Sequence, residues 1–171
     1  MKGFSLLEVI IAISILGTGI LSTVALINRT ISVGSVVKNQ LIASNLAQEG
    51  MEVIHNIRHT NWIEEASDGV TPWDDGLVDG NSCVEFNSTS TALMSPGTCG
   101  NADIEERRLY ILNVAGNVNY THTTTATTTI FYRHITITSG LDNGEPYKLV
   151  RSTVLWDGGS INAEGRIYNW K

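Results

Sequence analysis

Proline is scarce in this chain, three in 171 residues, and none lies between Met1 and Trp62. Nothing in that stretch therefore forbids one uninterrupted helix. Charge is scarce as well, at 16% of residues, where an ordinary soluble domain has about a quarter. The deficit is local, because no charged residue falls between Val9 and Asn28. An excess of basic residues is missing: the net charge is −6, which argues against a nucleic-acid partner. Also missing are a Gly-x-Ser-x-Gly elbow, a phosphate loop and a His-Glu-x-x-His pair, so none of the enzyme classes those motifs mark is indicated. Cysteine is limited to Cys83 and Cys99. An even pair at that spacing fits one disulfide closing a short loop, provided this part of the chain is exported.

What is present begins with the apolar run. Ile10, Ile11, Ile13, Ile15, Leu16, Ile20, Leu21, Val24, Leu26 and Ile27 dominate residues 9–28. About 20 such residues span a bilayer as a helix. Lys2 precedes the run, and Arg29 and Lys38 follow it, so the charge bias across it is weak. A cleaved secretory signal is a poor fit, since the segment is too long and lacks a good small-x-small site. An ordinary signal anchor is a poor fit for a different reason. Glu8 sits at the head of the apolar region, and a carboxylate inside a membrane span costs about 2–3 kcal/mol or more. Such a group is expected to have a partner.

Gly3-Phe4-Ser5-Leu6-Leu7-Glu8-Val9 resembles the processing motif of type IV prepilins and type II secretion pseudopilins. The resemblance implies that a dedicated peptidase cuts between Gly3 and Phe4 and methylates Phe4 as the new N-terminus. It also implies that Glu8, fifth in the mature chain, pairs with the N-terminal amine of a neighbouring subunit. The leader, residues 1–3, has one lysine and is shorter and less basic than is usual in that family.

Beyond the apolar run, Ala43, Leu46, Ala47, Gly50, Met51, Ile54 and Ile57 follow the 3-4 spacing of one helical face, with Gln48, Glu49, Glu52, His55 and Arg58 filling the rest. A helix from about Phe4 to Asn61 is expected, amphipathic in its second half. Gly17-Thr18-Gly19 and Gly34 weaken it by about 1 kcal/mol per glycine. They serve either local melting on assembly, as in the resembled family, or close helix packing in the membrane.

Residues 63–106 are rich in Gly, Asp, Ser, Thr and Asn and read as a connecting region stapled by Cys83 and Cys99. From residue 107 the pattern turns to strand: Leu109–Val114, Thr128–Thr138, Tyr147–Trp156 and Gly165–Trp170. Asp142-Asn143-Gly144-Glu145 marks a hairpin turn. The expected class is α+β, type IV pilin-like, with a long N-terminal helix packed on an antiparallel sheet of about four strands. Its expected divisions are a leader at 1–3, a transmembrane and polymerisation half-helix at 4–28, an amphipathic half at 29–62, a connecting region at 63–106 and a sheet at 107–171.

Several groups invite chemistry. His55 and His59 lie one helical turn apart with Glu52 nearby, but incidental histidines on a solvated face explain them better than a metal. Asp74, Asp75 and Asp79, with Asp68 and Asn81 close by, are oxygen ligands of the kind that hold Ca²⁺, without EF-hand spacing. A solvated acidic loop is the simpler reading, and no other cofactor is indicated. Arg107, Arg108, Arg133, Lys148 and Arg151 are candidates for a basic patch on the sheet that would meet DNA. The Thr123–Thr129 tract and the triplets at Asn87 and Asn119 match glycosylation patterns, which also arise by chance.

The expected function is a non-enzymatic structural subunit of a type IV pilus, major or minor. The alternatives are a minor pseudopilin of a type II secretion system and a single-pass anchored binding or enzymatic domain. Expected partners are other pilin subunits in a homo- or hetero-oligomeric filament, the prepilin peptidase, an inner-membrane assembly platform and, before assembly, membrane lipid. The expected location is the membrane before assembly, then an extracellular pilus or a periplasmic pseudopilus.

Overall fold

The proline-free stretch at the N-terminus is realised as one helix, α1, spanning Leu6–Asp68, 63 residues. The computed structural model describes residues 5–85, 104–114, 116–122, 124 and 127–169. It divides into two units, Met1–Asn39 and Gln40–Lys171. The first consists of the apolar part of α1. The second contains the rest of α1 and all the strands.

The start of α1 is set by Ser5, whose carbonyl accepts from the N–H of Glu8 at 3.0 Å and of Val9 at 3.3 Å. Its end lies past the expected boundary at residue 62. Gly69 adopts a left-handed conformation, φ 67°, and its N–H reaches the Glu65 carbonyl at 2.8 Å. This is the glycine stop that closes many helices. Asp68 then accepts from the N–H groups of Val70 (2.9 Å) and Thr71 (3.0 Å) and from the Thr71 hydroxyl (2.7 Å).

The strands are β1 (Gly80–Ser82), β2 (Arg108–Val114), β3 (Asn117–Thr121), β4 (Thr127–Asp142), β5 (Glu145–Trp156) and β6 (Gly159–Tyr168), with a 3₁₀ turn at Ile104–Arg107 before β2. They form one antiparallel sheet in the order β3-β2-β4-β5-β6, with β1 also paired to β4. Among the described residues the sheet thus has six strands rather than about four. β1 lies in the stretch read as a connecting region, and β3 was not anticipated. Three residues such as Gly80-Asn81-Ser82 have no hydrophobic alternation to betray a strand. They pair only because β4, at 16 residues, offers them an edge opposite β5.

The β4–β5 hairpin turns where expected. Asn143 (φ 51°) and Gly144 (φ 90°) both take positive φ, as a type I′ turn requires. Asp142 and Glu145 are the last pair before it.

Along β4, Phe131, Arg133, Ile135 and Ile137 are buried while their neighbours are not, the period-two signature of a half-buried strand. That face meets the buried stripe of α1: Ala43, Leu46, Ala47, Gly50, Val53, Ile54 and Ile57. One core cluster gathers Ile54 and Ile57 with Trp73, Leu77, Ile135, Ile137, Val150 and Ile167. A second gathers Ala43, Leu46 and Ala47 with Leu109, Phe131 and Val154. Each fully buried aliphatic side chain contributes about 1.5–3 kcal/mol of transfer free energy.

At Gly50 helix and sheet approach closely. A Cβ there would lie 2.6 Å from Ser152 Oγ and 3.0 Å from Ile135 Cδ1. Gly50→Val is expected to destabilise the fold by about 2–3 kcal/mol through overpacking. Thermal unfolding followed by circular dichroism checks this, and an unchanged midpoint would contradict the close approach.

Candidate functional site

In unit one, every large apolar side chain from Leu6 to Val37 is exposed, and Leu6, Leu21 and Ile31 are 79%, 72% and 68% accessible. The helix is long and apolar enough to cross a membrane. Six of its hydroxyls are satisfied within the helix. The hydroxyls of Ser14, Ser22, Thr23 and Thr30 donate to the carbonyls of Ile10, Thr18, Gly19 and Leu26 at 2.8–2.9 Å. Thr18 bonds to Ser14 and Ile15, and Ser35 to Ser32. Back-bonding of this kind lets a hydroxyl sit in a helix whose surroundings offer no water. Gly17, Gly19 and Gly34 have nothing within 4 Å of where a Cβ would stand, so their small size answers no contact among the described residues.

Glu8 is exposed in the first turn of α1, where the free N–H groups and the helix dipole favour a negative charge. It forms no ion pair among the described residues. Gly3 and Phe4, the expected processing pair, lie outside the described residues.

In unit two, the structure separates residues that the sequence left as candidate clusters. Asp74 and Asp79 face a cation that the protein itself supplies: Lys148 Nζ is 3.4 Å from each carboxylate. Asp79 also accepts from the Ser139 hydroxyl at 2.7 Å, and that bond is the main cause holding its carboxyl below the ordinary range. Asp75 contributes its backbone carbonyl to Asn61 at 2.8 Å. Asp68 caps its own turn, and Asn81 accepts from Thr136 at 2.8 Å. Among the described residues, no three His, Cys, Asp or Glu side chains gather in a group able to hold a metal, those of Glu52, His55 and His59 included.

A basic patch, which the net charge of −6 already disfavours, does not form from the candidate residues. Arg133 is fully buried on the inner face of the sheet and pairs with Glu49 at 3.1 Å. Arg108 pairs with Glu105 at 2.7 Å, Lys148 with the two aspartates, and Arg151 with Glu164 at 2.6 Å. Pairing on opposite faces dissolves a patch that spacing alone left open. Arg107 ends the 3₁₀ turn.

Sequence reasoning missed three groups. Arg58, expected on the polar face, is buried and donates to the Tyr168 carbonyl at 3.3 Å. Asn61, fully buried, donates to the carbonyls of Trp73 (3.2 Å) and Asp75 (2.8 Å) and so fixes the loop after α1. His122 is buried beside Glu85, whose carboxylate accepts from the backbone N–H of His122 at 2.9 Å and the Thr121 hydroxyl at 2.7 Å. Thr121 is therefore an internal partner within the Asn119 triplet, although Asn119 itself is only half-buried. The Asn87 triplet and most of the tract from 123 to 126 lie outside the described residues. Thr129 is tied to the Leu109 carbonyl at 2.6 Å. Cys83 is fully buried, and Cys99 lies outside the described residues.

Residues 1–24 match the family described as the prokaryotic N-terminal methylation motif. Neither a characterised protein nor a solved structure matches the chain. The exposed apolar helix with its first-turn glutamate is thus a prepilin-type signal, the N-terminal segment that type IV pilins and pseudopilins have in common.

Proposed function

We propose that this protein is a structural subunit of a type IV pilus, held in the membrane by α1 before assembly and polymerised through the same surface. The observation that supports it most is the extent of the exposed apolar helix. At 1.5 Å per residue, the helical residues up to Asn39 run about 50 Å, against a hydrocarbon core of about 30 Å. Lipid therefore covers only part of the surface from Leu6 to Val37. Ile31, Val33, Val36 and Val37, all at least half exposed, fall in the excess and need other helices.

Glu8 completes the reading. After cleavage between Gly3 and Phe4, a neighbour's Phe4 amine supplies the cation that Glu8 lacks among the described residues. A carboxylate compensated only by a second subunit makes assembly, rather than the free monomer, the state without an unpaired charge. Cys83 pairs with Cys99 in this reading, closing the segment between β1 and the 3₁₀ turn.

Mass spectrometry of the protein from cells tests the proposal. The expected wild-type chain starts at a methylated Phe4 and is lighter by the two hydrogens lost in one disulfide. Glu8→Ala is expected to be cleaved and to accumulate in the membrane without entering filaments. A wild-type chain retaining Met1 or Lys2 would overturn the reading. The methylation motif equally supports a type II secretion pseudopilin. Loss of surface filaments on deletion favours the pilus, and loss of protein export with filaments intact favours the pseudopilus.

A further inference from the structure

Beside the turn end of the β4–β5 hairpin lies a cleft of about 310 Å³. In β4 and β5 the pairs Ser139↔Lys148 and Leu141↔Pro146 are in register. Alternation along β4 puts Ser139 and Leu141 on the face that carries Ile135 and Ile137. Trp73 and Asp74, from the loop after α1, line the other side. Trp73, Leu141 and Pro146 are the apolar walls, and Asp74, Ser139 and Lys148 supply the polar groups.

These walls are set in advance. The loop carrying Trp73 and Asp74 is tied to α1 by the two hydrogen bonds of buried Asn61, and Trp73 is anchored in the core with Ile54 and Ile57. On the hairpin side, the Tyr147 ring lies where a Cβ on Gly140 would be and stacks at 5.7 Å from Tyr168, bracing the strand pair. A cleft with fixed walls loses little entropy on binding.

The polar groups narrow the ligand. Lys148 Nζ accepts no hydrogen bond and donates to Ser139 Oγ at 2.9 Å, with longer contacts of 3.4 Å to Asp74 and Asp79. Two carboxylates against one ammonium disfavour an anion. The ammonium disfavours a cation. A neutral ligand with several hydroxyls meets both demands, since each hydroxyl donates to a carboxylate and accepts from the ammonium. Its carbon-bound hydrogens pack on the indole and on the Leu141–Pro146 wall. The volume, at the lower end for ligand sites, takes one six-membered ring.

We propose that this cleft binds one neutral hexose unit of a glycan. This role is separate from assembly through α1.

The test uses the full chain in a zwitterionic detergent that contains no sugar. Saturation-transfer NMR is run with methyl glycosides of glucose, galactose, mannose and N-acetylglucosamine, and with glucuronic acid as the anionic probe. At least one neutral glycoside is expected to bind with a Kd of about 1 mM, while glucuronic acid does not. Asp74→Asn is expected to weaken binding about tenfold, and Ser139→Ala to weaken it less, both with an unchanged melting temperature. Asp157→Asn, in the exposed β5–β6 turn, is expected to bind as wild type. Absence of binding by every neutral glycoside at about 50 mM, far above that Kd, would overturn the proposal. So would binding that Asp74→Asn and Ser139→Ala leave unaltered, or preference for glucuronic acid.

Discussion

Arg133→Met is expected to destabilise the folded head by about 3 kcal/mol. Arg133 has no exposed surface, yet it sits mid-strand on the face of β4 that meets α1. Burial pushes its guanidinium pKa down, and Glu49 opposes that shift. Its guanidinium donates to the Leu46 carbonyl at 3.1 Å and the Val84 carbonyl at 2.7 Å, and pairs with Glu49 at 3.1 Å. One side chain thus ties α1, the segment after β1 and β4 together. Methionine fills much of the volume but leaves the Val84 carbonyl without its donor and the Glu49 carboxylate without its cation, and that loss dominates.

The double variant Glu49→Met with Arg133→Met separates charge from packing. A buried ion pair replaced on both sides by apolar groups is often close to neutral. The double variant is therefore expected to recover more than half of the loss. Denaturant unfolding of the four proteins gives the coupling energy. A single variant as stable as wild type would show that the guanidinium contributes nothing net. A double variant worse than the sum of the singles would show that its role is steric.

The second large effect is an acid-induced loss of stability through His122. Its Nδ1 lies 3.1 Å from the Arg108 carbonyl and so carries the proton, while Nε2 is buried with no partner among the described residues. Protonating Nε2 would bury an unpaired N–H close to the Arg133 charge. Burial first, then Arg133, lowers the His122 pKa from 6.5 to about 4. Above pH 6.5 both the folded and unfolded states hold this ring neutral, and stability is complete. Between 6.5 and 4 the unfolded chain takes up a proton that the folded chain refuses, so stability falls with pH. Below about 4 the loss levels off, at about 3 kcal/mol from this group. His134 is also lowered to about 4, by burial and Arg107, and acts in the same direction. His122→Asn keeps a donor for the Arg108 carbonyl and removes the titration. Melting temperatures from pH 7.5 to 4 are expected to fall more steeply for wild type than for this variant, and parallel curves would remove His122 as a cause.

Much of this protein is determined by local sequence. The signal at Gly3-Phe4 with Glu8, the apolar run and the amphipathic stripe from Ala43 to Ile57 are legible because membrane span and helical face are periodic, short-range properties. The Asn143-Gly144 turn is legible because few residues accept positive φ. β2, β4 and β5 are legible from β-branched residues and alternation, but β6, which runs Gly159–Tyr168, is legible only from Gly165, because its first half carries few apolar residues.

The tertiary structure decided the rest. β1 is a strand only because β4 leaves it an edge, and no local pattern encodes a distant edge. Arg133 alternates inward with Phe131, Ile135 and Ile137, but its charge reads as surface until Glu49 and two backbone carbonyls are brought around it. Asp74 and Asp79 read as free oxygen ligands until Lys148 arrives from β5. A charge is placed by its partner, and here each partner lies dozens of residues away. Packing of helix on sheet therefore determines whether these groups are buried, paired or open to a ligand.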